Sequence, residues 1–557
     1  MAKGGSLTRK PQKWATAQFE KLRGAGSSWF NTTVAIFCIC TSIYVLQFLI
    51  TNGQERTELK ELSGVLNGLP LVPVPPSPYL PRSETFFDPK SSPPANGNFF
   101  DSRVSFPPGL TKPLPLETIT EPPALLAEAV LSSGIRRTTD ITRIVFGIGA
   151  AAKSWDHRKQ YVKLWWRLNK GGRGFVWLDT PADDPEVETG LPALRISADT
   201  SNLKSESRAG VRMFRIISET LRLGLPDVDW LVMGDDDTVF FPENLVKVLS
   251  KYDHNQMFYV GSNSESNVQN LIYSYNMAFG GGGFAISYPL AKELSSMEDD
   301  CLARYPQAYG SDDRIHACMS ELGVALTKEP GFHQMDIHGN PFGLLAAHPV
   351  NPLVSLHHMD AVDAIFPENG TRQEALAHLV EAAKVDQASL LQQSMCYFQR
   401  NKQIWSISVS WGYAVQIYKG YLAPRELEIP VRTFNSVLRK TYETEFSFNT
   451  REFSRRFCGK PTIYYMTWVR KSNRFFESEY KKENEKWTWW RSCDKEMEPL
   501  KPVQLIRVTK EPVPDVWFQA PRRSCCQLTG WTADTIDLHL GACQPGQSIA
   551  TLSPGWD

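Results

Sequence analysis

The chain has 557 residues, enough for more than one domain, and its hydrophobic fraction of 42% is sufficient for a buried core. Its 60 Lys and Arg side chains balance 60 Asp and Glu side chains, so no global charge favours a nucleic-acid partner. An anionic ligand would therefore need a locally positive binding site.

The N-terminal region is predicted to anchor the chain in a membrane. Residues 1–28 are basic, and residues 29–50 are apolar and uncharged over the roughly 20 residues that a helix needs to cross a bilayer. Because the basic residues come first, the N-terminus is expected in the cytosol and the rest in the lumen. A cleaved signal peptide is the alternative, but the apolar run exceeds the usual signal core of about 7 to 15 residues.

Residues 51–138 are predicted to form an extended luminal stem, because their many prolines prevent helix formation. Of the ten cysteines, Cys38 and Cys40 lie in the apolar segment and the others follow the stem. They form no CxxC pair with zinc spacing, so disulfides in an oxidising compartment are expected, with the pairing left open. Asn369 begins an Asn-Gly-Thr sequence, a glycosylation acceptor that suits a luminal loop.

Residues 139–390 alternate between strand and helix signals. Apolar runs at 144–148, 175–178 and 230–233 are typical of buried strands, and residues 211–221 show the periodicity of a helix. This alternation predicts an α/β domain with a mostly parallel sheet flanked by helices.

Three consecutive carboxylates follow the third of these strands, at Asp235, Asp236 and Asp237. Ligands of α/β domains bind at the carboxyl ends of the strands. Adjacent carboxylates repel one another, so a bound cation would explain them, and oxygen ligands suit Mn²⁺ or Mg²⁺. The alternative is a solvated acidic turn in which an Asp caps a helix starting near Pro242.

Three features later in the chain supply further candidate site residues. Residues 280–283 are glycines, which let a ligand approach the backbone closely, although a sharp turn would use the same residues. Ser311-Asp312-Asp313 supplies a second acidic pair and is equally typical of a capped helix start. His357 follows a strand-like run and would complete a metal site, whereas a lone histidine is more often a structural hydrogen-bond partner.

Residues 391–557 are rich in β-strand signals, cysteines and aromatic side chains, which indicates a disulfide-braced β region. Aromatic residues can stack on sugars, but core packing is the expected role here.

These motifs resemble those of the Fringe-like β-1,3-glycosyltransferases, and most closely the plant Fringe-related proteins. Residues 230–237 are similar to the family's strand and triple-aspartate motif, residues 279–284 to its Gly-Gly-x-Gly-Phe element, and residues 311–313 to its Pro-Asp-Asp element. The resemblance runs from about residue 144 to 360. It implies a GT-A-like fold, a UDP-sugar donor, inversion at the anomeric carbon and a Golgi membrane enzyme with a luminal catalytic domain.

The resemblance also implies roles for single residues. Asp237 would ligate Mn²⁺ on the donor pyrophosphate, with Asp235 as a further ligand and His357 closing the metal site. Asp235 and Asp236 would also lie near the ribose, and Asp179, which ends the second strand, would face the nucleoside. The glycines expected to contact the donor are Gly281, Gly282 and Gly283.

Asp313 resembles the family's catalytic base, and Asp312 is the adjoining candidate. Ser311 stands where the family usually has proline, and residues 314–316 differ from those of Fringe, so the acceptor need not be O-fucose. The role of residues 391–557 stays open.

The expected partners are a UDP-sugar and a glycan or glycoprotein acceptor. A catalytically silent carbohydrate-binding protein on the same fold is the main alternative, and a scaffold that binds without turnover is another. The two acidic motifs and the glycines together favour an enzyme, because a binding module does not need a metal site beside a base.

Overall fold

The computed structural model describes residues 138–166, 171–182, 190–201, 207–400, 402–437, 445–452, 460–483, 500 and 502–553. The predicted anchor at residues 29–50 and nearly all of the predicted stem lie outside these ranges. Within them, no helix combines the length and the apolar character needed to cross a membrane.

A seven-stranded sheet forms the centre of the first half of the described chain. In spatial order its strands are β3 (Ala193–Ile196), β2 (Arg173–Leu178), β1 (Ile144–Ala150), β4 (Trp230–Asp235), β7 (Phe284–Ser287), β6 (Tyr259–Gly261) and β8 (Leu326–Lys328). β7 is antiparallel to both neighbours and the other pairs are parallel. The predicted α/β class with a mostly parallel sheet is confirmed.

Helices cover both faces of this sheet, which is why its central strands are apolar throughout; all seven residues of β1 are buried. The helices are α1 (Ala152–Trp165), α2 (Arg208–Arg222), α3 (Pro242–Leu249), α4 (Asn267–Ile272), α5 (Tyr288–Arg304) and α6 (Ser311–Glu321). On one face, Val145 and Leu231 pack with residues of α2, α5 and α6. A disulfide between Cys301 and Cys318 joins α5 to α6.

A small sheet brings distant parts of the chain to one edge. It pairs β5 (Val239–Phe240) with β11 (Ser355–Leu356), and β11 with β9 (Phe332–His333). Asp237 lies two residues before β5, and His357 follows β11 directly. The β5–β11 pairing therefore places His357 beside the triple aspartate.

Residues after 391 form a closed ring of eight strands. In order around the ring they are β12 (Gln393–Arg400), β13 (Gln403–Ser410), β14 (Ala414–Lys419), β16 (Thr462–Ser472), β17 (Phe475–Lys482), β18 (Leu505–Lys510), β20 (Thr535–Gly541) and β19 (Cys525–Trp531). β12 pairs with both β13 and β19, which closes the barrel, and β21 (Leu552–Ser553) lies beside β12. The predicted β-rich C-terminal region is thus a barrel.

Disulfides brace the barrel, as the cysteine content indicated. Cys396 is bonded to Cys526, and Cys525 to Cys543. Before the barrel the chain forms β10 (Ile337–Gly339), α7 (Phe342–Ala346) and α8 (Arg372–Val385), and between β14 and β16 it forms α9 (Pro424–Leu427) and β15 (Phe434–Ser436).

The barrel and the α/β sheet share one hydrophobic core. Trp405 and Trp411 of the barrel are fully buried and belong to the same cluster as Phe146 and Val232 of the sheet. Core packing, rather than sugar stacking, is therefore the role of these two tryptophans.

Removal of residues 391–557 is expected to leave the α/β part unfolded. Losing a buried large aromatic side chain costs about 3–5 kcal/mol, and a whole domain is stable by only about 5–15 kcal/mol. Soluble yield and a circular-dichroism melt of the shortened chain would test this. A cooperative melt near the parent's temperature would contradict the shared core.

Candidate functional site

The triple aspartate lies at the carboxyl end of the central strand: Asp235 is the last residue of β4, and Asp236 and Asp237 follow in the loop before β5. His357 Nε2 lies 3.1 Å from Asp237 Oδ1 and 3.7 Å from Asp235 Oδ2. Each of the three predicted metal ligands offers one atom within 4.8 Å of the others. Asp236 is buried beside them.

The orientation of these groups fits a divalent cation. Gln334 presents a carbonyl 3.2 Å from His357 Nδ1, so Nδ1 carries the proton and Nε2 faces the acids. Both carboxylate oxygens of Asp237 are shielded from solvent, and each faces a nitrogen: Oδ1 lies 3.1 Å from His357 Nε2 and Oδ2 lies 3.2 Å from Arg158 Nη1. Two carboxylates and an imidazole form a donor set that suits Mn²⁺. The alternative in which an Asp caps α3 is wrong, because the N-cap is Phe241.

Electrostatic coupling separates the pKa values of the cluster. Burial raises the pKa of Asp235 to about 7, despite the nearby His357. Burial also acts to raise the pKa of Asp237, but the His357 and Arg158 cations outweigh it and hold the value at about 2. For His357, burial disfavours the cation, yet the facing acids raise its pKa to about 9. Without a metal, a proton on His357 thus balances the charge of the acids.

Arg158 is a site residue that the sequence motifs did not reveal. Its Nη1 lies 3.0 Å from Asp236 Oδ1 and 3.2 Å from Asp237 Oδ2. Its Nη2 lies 3.3 Å from Asp360 Oδ2. Arg158 belongs to the helix after β1, and nothing in the local sequence shows that it faces the acids. It restrains the second and third aspartates from the side of α1.

Asp179 directly follows β2 at the same sheet edge, and its carboxylate bonds to the start of α1, the helix before β2. Its Oδ1 accepts hydrogen bonds from the N–H groups of Ala152, at 2.8 Å, and Thr180, at 3.0 Å. Burial acts to raise its pKa, but these bonds and the Arg212 cation leave it lowered. The structure therefore shows Asp179 holding the first turn of α1, and its contact with a nucleoside stays a prediction.

Arg212 of α2 is a second cation absent from the sequence reasoning. It donates to the Trp177 carbonyl at 3.0 Å, and the charges of Asp179 and Asp235 both act on it. Burial outweighs these charges and lowers its pKa. A positive group thus lies between the end of β2 and the triple aspartate.

Gly280 and Gly281 leave space for the side chains of Asp312 and His357. A Cβ atom on Gly280 would come within 2.5 Å of Asp312 Oδ1, and one on Gly281 within 2.1 Å of the His357 ring. Thr238 joins this loop to the acids, because its hydroxyl donates to the Gly281 carbonyl at 2.7 Å and accepts from the Asp235 N–H at 2.8 Å. The groups that approach the glycine backbone closely in the structure are therefore the side chains of Asp312 and His357.

The other two predicted glycines are buried, and their N–H groups bond within the protein. Gly282 donates to Gln334 Oε1 at 2.6 Å, and Gly283 donates to the Gly280 carbonyl at 2.9 Å. The predicted contact of Gly281, Gly282 and Gly283 with a donor stays a prediction.

The second acidic pair lies at the start of α6, but neither acid caps the helix. The N-cap is Gly310, with no side-chain cap, so the capping interpretation is wrong. Asp312 accepts hydrogen bonds from the Gly280 N–H at 2.8 Å and the Ser311 hydroxyl at 2.9 Å. It lines a cleft of about 20 Å³ with Asp235, and burial raises its pKa.

Asp313 differs from its neighbour in its contacts. It is half-buried, and its charge acts on the Tyr273 hydroxyl and the His316 ring. No hydrogen bond from another described residue reaches its carboxylate. Its oxygens are therefore available to a ligand, whereas both oxygens of Asp312 are engaged.

Asn369, the predicted glycosylation site, lies in the turn before α8. Thr371 of the same sequence caps that helix, and its N–H and hydroxyl both donate to the Glu374 carboxylate. Glycosylation of Asn369 stays a prediction.

The fold and this site define an α/β protein with a candidate divalent-cation centre at the carboxyl end of its central strand. Residues 139–345 match the family model described as Fringe-like, and residues 269–526 match the model described as "Protein of unknown function, DUF604". Residues 139–345 are thus a Fringe-like domain, and the predicted resemblance is confirmed there. The predicted closeness to the plant proteins stays a prediction.

Curated relatives agree with the family models over a short segment. Human β-1,3-glucosyltransferase is 30% identical and the mouse protein 31% identical over 123 residues. Each match covers 22% of this chain and 24% of the relative, so the chain spans about a quarter of their length. A crystal structure of galactosyltransferase LgtC with donor and acceptor sugar analogs is 13% identical at a TM-score of 0.23, over 36% of this chain and 76% of that chain.

Proposed function

We propose that the chain is a divalent-cation-dependent, inverting glycosyltransferase of GT-A-like fold that moves a sugar from a UDP-sugar to an acceptor hydroxyl, forming a β-1,3 linkage. The observation that carries this proposal is the cluster of Asp235 with the buried Asp237 and His357 at the end of β4 in a Fringe-like domain. The names of the human and mouse relatives support the linkage.

The reaction needs two kinds of group. Mn²⁺ held by Asp235, Asp237 and His357 would supply positive charge to the departing diphosphate. As the bond from the anomeric carbon to the diphosphate breaks, the acceptor oxygen bonds to that carbon from the opposite face and gives its proton to a carboxylate. Asp313 is the base in this proposal, because its carboxylate is only half-buried and accepts no hydrogen bond from another described residue. Asp312 holds the glycine loop.

The proposal includes a Golgi location with the catalytic domain in the lumen. The basic residues 1–28 followed by the apolar residues 29–50 support a single-pass type II orientation, and the disulfides suit an oxidising compartment. Protease digestion of sealed microsomes is the test. The C-terminus should survive digestion and Asn369 should carry a glycan; digestion from the cytosolic side would reverse the orientation.

Nucleotide release tests the activity itself. The luminal part of the chain, mixed with Mn²⁺ and a series of UDP-sugars, should release UDP faster when a suitable acceptor is added. A silent carbohydrate-binding protein would bind glycans without releasing UDP from any donor. EDTA should abolish release, and added Mn²⁺ should restore it.

Mn²⁺ affinity is expected to rise with pH between about 7 and 9. The raised pKa of His357, about 9, means that a cation must displace a proton below that pH. Each unit of falling pH should then weaken binding about tenfold, and more steeply below pH 7, where Asp235 also binds a proton. Calorimetric titration of the metal-free protein at several pH values would measure this. A flat profile would contradict ligation by His357.

A further inference from the structure

A cavity separate from the candidate metal site lies where the segment before α8 meets the barrel. Its volume is about 210 Å³, and it is lined by the turn at residues 366–369, by α8 and by the strands β16 and β17. One water molecule takes up roughly 30 Å³ in the liquid. The cavity is therefore large enough for a small organic group such as a single sugar ring.

The turn that begins at Phe366 holds Asn369 at this cavity. The Asn369 N–H donates to the Phe366 carbonyl at 3.2 Å, which closes a turn containing Pro367. Phe366 is buried, and its ring centroid lies 4.7 Å from that of His378 and 6.1 Å from that of Tyr465. The turn is thus fixed to α8 and to the barrel, and the half-buried Asn369 forms part of the cavity wall.

The lining of the cavity combines aromatic rings with polar groups. His378 and Tyr465 are half-buried, and His378 Nε2 donates to the Met466 carbonyl at 2.9 Å, which fixes the imidazole against β16. Burial raises the pKa of Tyr465, with a further rise from Glu483, so its hydroxyl keeps its proton and can donate a hydrogen bond. Lys481, which pairs with Tyr465 across β16 and β17, is exposed. A sugar suits this lining, because its C–H face packs on aromatic rings and its polar groups bond to polar side chains.

A source of such a sugar is part of the cavity wall itself. Asn369 begins an acceptor sequence for N-glycosylation, and the chain has no other Asn-x-Ser/Thr sequence after residue 50. The sugar bonded to the asparagine amide in an N-glycan is N-acetylglucosamine. Because Asn369 lines the cavity, that ring would start at the cavity and would bind as an attached ligand, at a far higher effective concentration than a free sugar.

We propose that the glycan on Asn369 docks its first N-acetylglucosamine into this cavity and thereby joins the turn before α8 to strands β16 and β17. The inference rests on the luminal location included in the proposed function, and it does not depend on the sugar-transfer reaction. It gives the glycan a structural role, which is to stabilise the packing of α8 against the barrel.

The test uses the full chain from a secretory host that adds only oligomannose glycans. An endoglycosidase that leaves one N-acetylglucosamine on Asn369 should not change Tm. An amidase that removes the whole glycan should lower Tm by about 1–3 °C. It should also make backbone hydrogen exchange of residues 366–385 about 2- to 10-fold faster, as expected for the loss of one aromatic contact. The amidase leaves an aspartate, so Asn369→Asp from the same host is the control and should match the amidase-treated parent.

Two substitutions on β16 distinguish docking from a general effect of the glycan. Tyr465→Leu removes a ring that lines the cavity, so the Tm difference between the glycosylated and amidase-treated forms of this variant should disappear. Trp468 lies on the same strand but is not among the described residues that line the cavity, so Trp468→Leu should keep the full difference. Each comparison is made within one variant, so the cost of the substitution to folding cancels.

The outcomes are distinct. Protein from the secretory host without a glycan on Asn369, or a loss of stability already at the single-sugar stage, would overturn the docking. An unchanged Tm after complete removal would also overturn it, and a rise in Tm on adding free N-acetylglucosamine would then show that the cavity takes an external sugar. UDP release from UDP-sugars is measured on the same preparations. Intact release without docking leaves the proposed function standing, and docking without release overturns only the proposed reaction.

Discussion

Asp237→Ala is expected to abolish Mn²⁺ binding and reduce sugar transfer below detection. Asp237 is the most buried of the three proposed ligands, and its two oxygens face His357 Nε2 and Arg158 Nη1. Without this carboxylate, the metal would lose its most buried oxygen ligand, and the pyrophosphate charge would lack a held counter-ion. Calorimetric titration with Mn²⁺, alone and with UDP, would measure the loss.

The matched control is Asp156→Ala, on the exposed side of the helix that carries Arg158. Asp156 is 78% exposed, and Lys159 is its ion-pair partner in the part of the chain that the structure describes. Exposed pairs of this kind contribute about 0–1 kcal/mol, so both activity and Tm should stay near the parent values. If Asp237→Ala bound UDP-sugar in Mn²⁺ as tightly as the parent, the assignment of the metal site would be wrong.

Asp313→Asn is expected to reduce transfer by about 10²–10⁴-fold while folding and donor binding are retained. The change preserves the size of the side chain and removes the group that takes the acceptor proton. Because Asp313 is not the cap of α6, asparagine should cost little stability. Transfer rate, UDP affinity and Tm would be measured on the same preparation.

Asp312→Asn is the control, since the two acids adjoin and have different contacts. An asparagine at this position can still accept from the Gly280 N–H, so the glycine loop should stay in place and transfer should fall only modestly. Loss in Asp312→Asn with near-parental transfer in Asp313→Asn would move the base one residue back. Near-parental transfer by both variants would leave the acidic pair without a catalytic role.

Much of the α/β fold was predictable because its core strands are continuous apolar runs. Predictions at 144–148, 175–178 and 230–233 correspond to β1, β2 and β4, which extend slightly further. Such runs report burial directly. The closure of the C-terminal strands into a barrel was not predictable, because strand periodicity shows which side of a strand is buried but not which strand it pairs with.

The candidate site also contains residues that the sequence predicted and residues that it did not. The acids and glycines were found because consecutive residues with unusual chemistry stand out in a sequence. Arg158 and Arg212 were missed, because a single charged residue in a helix looks the same whether it faces solvent or a buried carboxylate. Only the packing of α1 and α2 against the sheet edge distinguishes the two cases for the arginines.

By itself, the sequence determined the α/β character, the strand that ends in three carboxylates and the presence of a second acidic pair, because these are local properties of neighbouring residues. The tertiary structure decided which distant groups meet them. Pairing of β5 with β11 brings His357 to Asp237, and the absence of side chains at Gly280 and Gly281 lets Asp312 and His357 approach. These contacts depend on strand pairing and close packing between segments far apart in the chain, which a local pattern does not encode.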